Sequence, residues 1–192
     1  STPIKSSAAS DVYKRQLKTV CHHRRLVRKY CFKLGLYRQG LTHDLSKFSP
    51  VEFLSSVKYY QGDRSPLAKQ REAEGYSAAW LHHKGRNKHH HEYWTDFSAA
   101  DHKVVPVKMP IKYVAEMLCD RVSATRTYNG ENYNDGKPLE YYEKTKYDGD
   151  MHPETARLLK SWLVELSKKG EKETFAHIKA QIKAARKAKN RR

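Results

Sequence analysis

The sequence lacks any long apolar run and contains little cysteine for its 192 residues. No stretch approaches the roughly 20 apolar residues that a membrane-spanning helix needs, and no signal-peptide core is visible. The three cysteines, Cys21, Cys31 and Cys119, form no Cys-x-x-Cys pair, which disfavours both a disulfide framework and a thiolate zinc finger. These absences predict a cytoplasmic protein that has no membrane partner.

Acidic residues are scarce relative to basic ones. The chain has 38 Lys and Arg against 21 Asp and Glu, which gives a formal net charge of +17. An excess of this size creates a positive field that attracts phosphates and other anions. The composition therefore predicts an anionic partner without identifying it.

The alternation of apolar and polar residues that marks a β-strand is missing as well. No segment alternates convincingly at period two, and no internal repeat is evident. Apolar residues instead recur at three-and-four spacings between Leu17 and Leu34, after Pro110 and after Pro153, as in amphipathic helices. The pattern predicts an all-α fold, a single-domain helical bundle.

The predicted organisation has three parts. Residues 1–16 are expected to be a flexible and non-native leader, because SSAASDVYKRQ resembles a translated sequencing adapter that often heads proteins predicted from environmental DNA. Residues 17–168 should form the helical domain and residues 169–192 a basic C-terminal helix and tail. Two segments rich in Gly, Pro, Asn or charge, 61–75 and 129–150, are expected to be loops.

Histidine, by contrast, is plentiful. Most of the 11 histidines lie at positions 22–23, at position 43 and between positions 82 and 91. Imidazole nitrogen and carboxylate oxygen are good donors for Mn, Fe, Co, Ni or Zn. The clustering predicts a site for one or two divalent transition-metal ions, and a set of surface histidines on a basic protein is the alternative.

The two histidines of the first predicted helix lie on different faces. His23 lies at the edge of the apolar face, whereas His22 points toward solvent. Arg24 lies near the middle of the same face, so it should meet a carboxylate or a bound anion. An ordinary buried ion pair is the alternative for Arg24.

Helical spacing also suggests ligands in the histidine-rich stretch. If residues 77–94 are mostly helical, His83 and His90 share one side of the helix. Gly85 could break that helix. The choice between positions 82 and 83, and among positions 89, 90 and 91, therefore stays open.

The adjacent pair His43-Asp44 is the most informative motif. Two neighbouring ligands on a helix can serve one cluster only if the backbone bends or the carboxylate bridges. Read in order along the chain, the histidines and aspartates resemble the H…HD…H…H…D pattern of the HD-domain superfamily, helical bundles of metal-dependent phosphohydrolases. The resemblance implies a bridging role for Asp44, a basic metal set of His23, His43, Asp44 and Asp120, and a second metal position completed by His83 and His90.

Three strings carry a closer resemblance. LTHDLSKFSPVEF, AWLHHKGRNKHHHEYW and MPIKYVAEMLCDR look like those of a family of short, functionally uncharacterised proteins from bacteria and their phages. The likeness covers roughly Leu17 to Trp162. It is specific for membership and says little about activity.

The HD resemblance implies hydrolysis of a phosphate ester, with a nucleotide or phosphodiester as the anionic small-molecule substrate. Asp44 would orient the attacking water, while Arg24 and Lys47 would neutralise phosphate oxygens. For Lys47, a solvated surface lysine is the alternative. One different function is an HD-type di-iron oxygenase. Another is a nucleic-acid-binding protein with a structural metal site, in which the basic tail 183–192 binds phosphate backbones weakly.

Overall fold

The computed structural model describes residues 6–61, 65–145 and 150–191, with side chains described from Ser10 onward. The protein is mostly helical, and among the described residues no helix has both the length and the apolar character needed to cross a membrane. In chain order, the elements are α1 Ser6–Lys33, α2 Tyr37–Thr42, α3 Pro50–Lys58, α4 Pro66–Glu74, α5 Ala78–Lys84, β1 Thr95–Ser98, β2 Lys103–Pro106, α6 Ile111–Asn129, α7 Lys137–Thr145 and α8 Pro153–Lys189. Short 3-10 turns occur at Leu45–Phe48, His91–Tyr93 and Gly130–Asn132.

The chain forms two compact units. The first combines the residues up to Arg25 with Asp44–Asn87, and the second combines Leu26–His43 with the residues from Lys88 onward. Helix α1 therefore contributes its first part to one unit and its last part to the other.

The first unit is built from short helices with well-defined starts. Helix α3 packs against α4 and α5. Ser49 accepts a hydrogen bond from the Glu52 amide at the start of α3, and Ser77 accepts one from the Trp80 amide at the start of α5. Such N-caps satisfy amides that the helix leaves open. Phe53 lies in the small apolar interior of this unit.

The second unit contains the large hydrophobic core. Helix α8 packs against α6 and α7. On α6 the apolar residues Val114, Leu118 and Val122, which are four positions apart, predicted one buried face, and all three side chains are fully buried. The core also includes Val27, Tyr30, Cys31, Leu34, Leu36, Cys119, Tyr142, Leu159, Trp162, Leu163, Leu166, Phe175, Ile178 and Ile182.

Gly170 divides α8 in two. Its backbone has φ 77° and ψ 174°, a region that essentially only glycine occupies. The carboxylate of Asp135 accepts a hydrogen bond from the Glu171 amide at 3.0 Å, which satisfies the first amide after the break. A basic helix follows this break, and from position 183 to position 191 it is exposed.

A short antiparallel hairpin is the departure from the all-α expectation. Strand β1 pairs with β2 so that Thr95 faces Pro106 and Ser98 faces Lys103. Each strand has four residues and is largely exposed. Because neither face of the hairpin is consistently buried, the sequence shows no alternation there.

Both expected loops contain a helix, so those two predictions were wrong. Helix α4 lies within 61–75, with Pro66 in its first turn and Gly75 at φ 78° after its last residue. Positions 62–64 lie outside the described residues. Helix α7 lies within 129–150, where Tyr142 is buried in the core, and positions 146–149 lie outside the described residues.

Part of the expected flexible leader is helical. Positions 1–5 lie outside the described residues, but α1 begins at Ser6. The Tyr13 ring contacts the Phe53 ring edge-on, with 4.7 Å between centroids, and Gln16 is buried. Residues 6–16 are therefore part of α1 rather than a flexible extension, and their non-native origin stays a prediction.

Candidate functional site

The backbone bends sharply at His43-Asp44. Helix α2 ends at Thr42, His43 is extended with φ −51° and ψ 127°, and Asp44 is left-handed with φ 53° and ψ 28°. Aspartate tolerates this left-handed region better than most residues do. Both side chains are buried. The helical conformation of α2 thus ends before these two residues.

In the first unit, Asp44 faces two histidines. Its Oδ2 lies 3.8 Å from His23 Nε2, and its Oδ1 lies 3.4 Å from His83 Nε2. The two oxygens of one carboxylate therefore address different imidazoles, which come from α1 and α5. A carboxylate placed in this way can bridge two positions.

Glu52 supports His83 from behind. Its two oxygens lie 2.7 Å from His83 Nδ1 and 2.6 Å from His82 Nδ1. Burial acts to raise the pKa of Glu52, but the hydrogen bonds with His83 and His82 outweigh it and hold the pKa below its ordinary value. Glu52 is therefore an ionised acceptor that fixes two neighbouring rings.

Ser46 and Asn87 complete the surroundings of His83. The Asn87 amide nitrogen donates to Ser46 Oγ at 2.7 Å and to the His83 carbonyl at 2.8 Å. Ser46 Oγ lies 3.3 Å from His83 Nδ1. These contacts join α5 to the turn after Asp44, so the His83 ring is held from several sides.

Two cations lie in the same unit. Lys47 Nζ is 2.7 Å from Asp44 Oδ2, and the lysine side chain is 34% exposed. The Arg24 guanidinium lies over the Phe48 ring, 5.1 Å from its centroid, in a cation–π contact. Lys47 is thus an ion-pair partner of the central carboxylate that also reaches solvent.

In the second unit, Glu116 contacts two histidines. Its Oε1 lies 3.1 Å from His43 Nδ1 and 3.4 Å from His89 Nδ1. Burial acts to raise the pKa of Glu116, but the hydrogen bonds with His43 and His89 outweigh it and hold the pKa below its ordinary value. All three side chains are buried, so this is an ionised carboxylate inside a packed cluster.

Asp120 and the neighbours of His89 surround that cluster. Asp120 Oδ1 lies 3.6 Å from His43 Nε2. The His90 ring stacks on His89 with 4.1 Å between centroids, and His91 Nδ1 lies 3.2 Å from Glu92. His43 therefore has carboxylates at both ring nitrogens.

The predicted site residues fall into both units. The structure brings together His23, Asp44 and His83 in the first unit, and His43 and Asp120 in the second. His90 does not share a helix face with His83, because α5 ends at Lys84 and Gly85 follows it. The helical condition of that argument is not met, and His90 as a metal ligand stays a prediction. The prediction that all six residues serve one centre stays a prediction.

Sequence reasoning missed the two glutamates. Glu116 lies four residues before Asp120 on α6, on the same helix face, so a signal was available. Glu52 matched a capping box, and Ser49 does cap α3. The glutamate side chain, however, binds His82 and His83 instead of closing the box.

The chemistry of these donors fits a metal ion. The buried His, Asp and Glu groups could hold one, and in the second unit His43, His89 and Glu116 present atoms within 4.8 Å of one another. In the first unit, the 3.4 Å between His83 Nε2 and Asp44 Oδ1 equals the spacing of two ligands each about 2.1 Å from a tetrahedral ion, roughly 3.4 Å. Nitrogen and oxygen donors without thiolate suit Mn, Fe, Co, Ni or a catalytic Zn.

Comparison with known proteins identifies one family. No curated protein and no solved structure matches the chain. The sequence profile of DUF5662, a family of unknown function, matches residues 13–165. That range includes every residue of both clusters and most of the chain. The chain therefore belongs to the family of unknown function DUF5662.

Proposed function

We propose that this protein is a metal-dependent hydrolase of phosphate esters, of the HD type, acting on a nucleotide or a phosphodiester. The observation that carries the proposal is Asp44, whose two oxygens face His23 and His83. The order of histidines and aspartates along the sequence supports it independently, through its resemblance to HD-domain proteins.

His83 would help to hold a metal ion at one oxygen of Asp44, and His23 would do so at the other oxygen. Because Glu52 accepts the Nδ1 proton of His83, the Nε2 lone pair of that ring is the one directed at Asp44. A carboxylate behind a ligating imidazole orients the ring and raises its basicity. A bound divalent cation supplies a Lewis acid that lowers the pKa of water and offsets charge on phosphate oxygens.

The cations of this unit suit an anionic substrate. Lys47 lies at the central carboxylate and is partly exposed, so its ammonium can reach a phosphate oxygen in solution. Arg24, held over Phe48, has a planar guanidinium that can bind two phosphate oxygens at once. The net charge of +17 would raise the rate at which anions arrive.

The abundance of imidazole supports a second candidate, an HD-type di-iron oxygenase. The buried glutamates alone contact four histidines, His82, His83, His43 and His89. Imidazole suits iron as well as zinc. The identity of the bound metal separates this candidate from the hydrolase.

Elemental analysis of protein purified without a histidine tag is the first experiment. The proposal expects bound transition metal and, after reconstitution with Mn, Co or Ni, release of phosphate from nucleotides or an aryl phosphate ester. Asp44→Asn and His23→Ala should abolish both. His22→Ala is the matched control, because His22 is the exposed neighbour of His23, and it should retain both.

Four other results would overturn the proposal. Wild-type protein that takes up no metal, or Asp44→Asn protein that hydrolyses as fast as wild type, contradicts it directly. Bound iron with oxygen uptake and no phosphate release favours the oxygenase. Nucleic-acid affinity that chelation leaves unchanged and raised salt abolishes, without hydrolysis, favours a binding protein.

A further inference from the structure

We infer that Glu116 is a positioning residue that presets His43 and His89 to bind metal through Nε2, which makes His89 a metal ligand within the run 89–91. The inference rests on the proposed metal chemistry and adds residues to it. It is carried by the contacts within the second unit.

One carboxylate oxygen serves both rings. Oε1 of Glu116 lies 3.1 Å from Nδ1 of His43 and 3.4 Å from Nδ1 of His89, and the ring centroids are 4.3 Å apart. The exposed fractions are 5% for Glu116 and 1% for each histidine. Because these side chains are buried, the carboxylate acceptor strongly favours the imidazole form that donates a hydrogen bond to it.

This contact selects one form of each imidazole. Both Nδ1 atoms approach the same carboxylate oxygen, and that oxygen can accept a hydrogen bond from each ring when each Nδ1 carries the proton. In the neutral ring the lone pair is then on Nε2. His43 and His89 would thus be fixed as Nε2 donors before any metal arrives.

The same contact argues against Glu116 as a direct ligand. Its Oε1 is engaged by the two Nδ1 protons, and a metal held by these three groups through those atoms would have to displace both. Metal-binding histidines usually donate their other ring nitrogen to a carboxylate or carbonyl. Glu116 therefore acts through the rings.

The histidine run contains one ring that Glu116 holds. His89 Nδ1 contacts the buried Glu116, whereas His91 Nδ1 contacts Glu92, whose side chain is 28% exposed. His90 stacks on His89 and is half-buried. His89 shares the Glu116 oxygen with His43, so Glu116 links these two rings.

The first unit independently contains the same arrangement of a glutamate behind a histidine ring. There Glu52 binds Nδ1 of His83, while Nε2 of that ring faces Asp44. In the second unit, Glu116 binds Nδ1 of His43, while Nε2 of that ring faces Asp120. One buried glutamate behind each set of rings favours a positioning role for both.

The experiment measures imidazole protonation in metal-free protein by long-range proton–nitrogen NMR, with His43 and His89 identified by single His→Gln variants. Wild type should show both rings protonated on Nδ1. Glu116→Met, which removes the acceptor at similar length, should shift them toward the Nε2-protonated form. Glu116→Gln should largely rescue the wild-type form, because its amide oxygen still accepts.

Calorimetric titration with Mn²⁺ gives the second readout. Glu116→Met should weaken binding by about 10–100-fold, and Glu116→Gln should weaken it less. Glu92→Gln is the matched control beside His91 and should leave the affinity unchanged.

Several outcomes would overturn the inference. Rings protonated on Nε2 in wild type would contradict the positioning role, and so would spectra that Glu116→Met leaves unchanged. If Glu116→Met does not fold, the comparison of wild type with Glu116→Gln tests the positioning role instead. A larger loss of affinity in Glu92→Gln than in Glu116→Met removes the assignment of His89. Absence of Mn²⁺ binding by wild type would refute the proposed function instead, while the NMR spectra still test Glu116.

Discussion

Glu52 contacts His83 behind the central carboxylate, with 2.7 Å between Oε2 and Nδ1. The other glutamate oxygen binds His82, so one side chain on α3 fixes two neighbours on α5. A merely structural ion pair would need only one of these rings. The doubled contact ties the chemistry of His83 to the packing of α3 on α5.

Replacing Glu52 should weaken metal binding without removing a ligand. In Glu52→Gln the acceptor loses its charge, and loss of such an outer partner typically costs about 10–100-fold in metal affinity. Titration calorimetry with Mn²⁺ measures the change. Glu74→Gln, an exposed glutamate of the same unit, should leave the affinity unchanged, and equal effects of the two substitutions would refute the role of Glu52.

Lys47 should stabilise the metal-free protein. Its ammonium lies 2.7 Å from the buried Asp44 carboxylate, so Lys47→Met should lower the free energy of unfolding by roughly 1–3 kcal/mol. Saturating Mn²⁺ should recover most of that loss, because a bound cation takes over the neutralisation. Urea unfolding with and without metal measures both values.

The control for Lys47 is Lys58→Met, which removes an exposed lysine paired with Glu74. Its effect should be small and independent of metal, since exposed pairs contribute little. If Lys47→Met is as stable as wild type after chelation, the ion pair with Asp44 has no energetic role.

Thiol reactivity should divide the three cysteines. Cys21 is exposed, whereas Cys31 and Cys119 are fully buried. Burial raises the pKa of the Cys119 thiol well above its ordinary value, and the neighbouring Cys31 adds to this effect, so little reactive thiolate is present. A chromogenic disulfide reagent should titrate one thiol rapidly in native protein and three in denaturant.

The Cys21→Ser variant provides the check on this assignment. It should remove the rapid phase and leave two thiols that react only after unfolding. Rapid labelling of more than one thiol in folded wild type would contradict the burial of Cys31 and Cys119.

Gly170 should resist substitution. At φ 77° and ψ 174°, Gly170→Ala should cost roughly 1–3 kcal/mol of unfolding free energy. Its new Cβ would also lie 3.4 Å from an Asp135 oxygen. Lys168→Ala, at an exposed position two residues earlier, should change stability by less than about 0.5 kcal/mol, and thermal or urea unfolding compares the two.

The long helices could be predicted from the sequence because their apolar spacing is regular. Val114, Leu118 and Val122 mark a single face of α6, and the backbone break in α8 is marked by a glycine. Helix α7 could not be found in this way, because Tyr142 is its one fully buried aromatic amid polar neighbours. The exposed hairpin gave no periodic signal at all.

For the candidate site, residue types could be predicted but not the partners between distant segments. The first helix was correctly predicted to expose His22 and to turn His23 inward, because helix geometry is local. The helix expected to carry both His83 and His90 ends before Gly85, so the assignment of His90 stays a prediction. Glu116 and His89 are 27 positions apart in the sequence, and only tertiary packing brings them together.

The left-handed backbone at Asp44 restricts which residues evolution or an engineer can place there. Asparagine, aspartate and glycine visit this conformation readily, whereas longer side chains seldom do. Replacing Asp44 with asparagine therefore removes the carboxylate while the backbone keeps its conformation. Replacing Asp44 with glutamate would strain the backbone at this position. The backbone conformation therefore limits how far a carboxylate can extend from here.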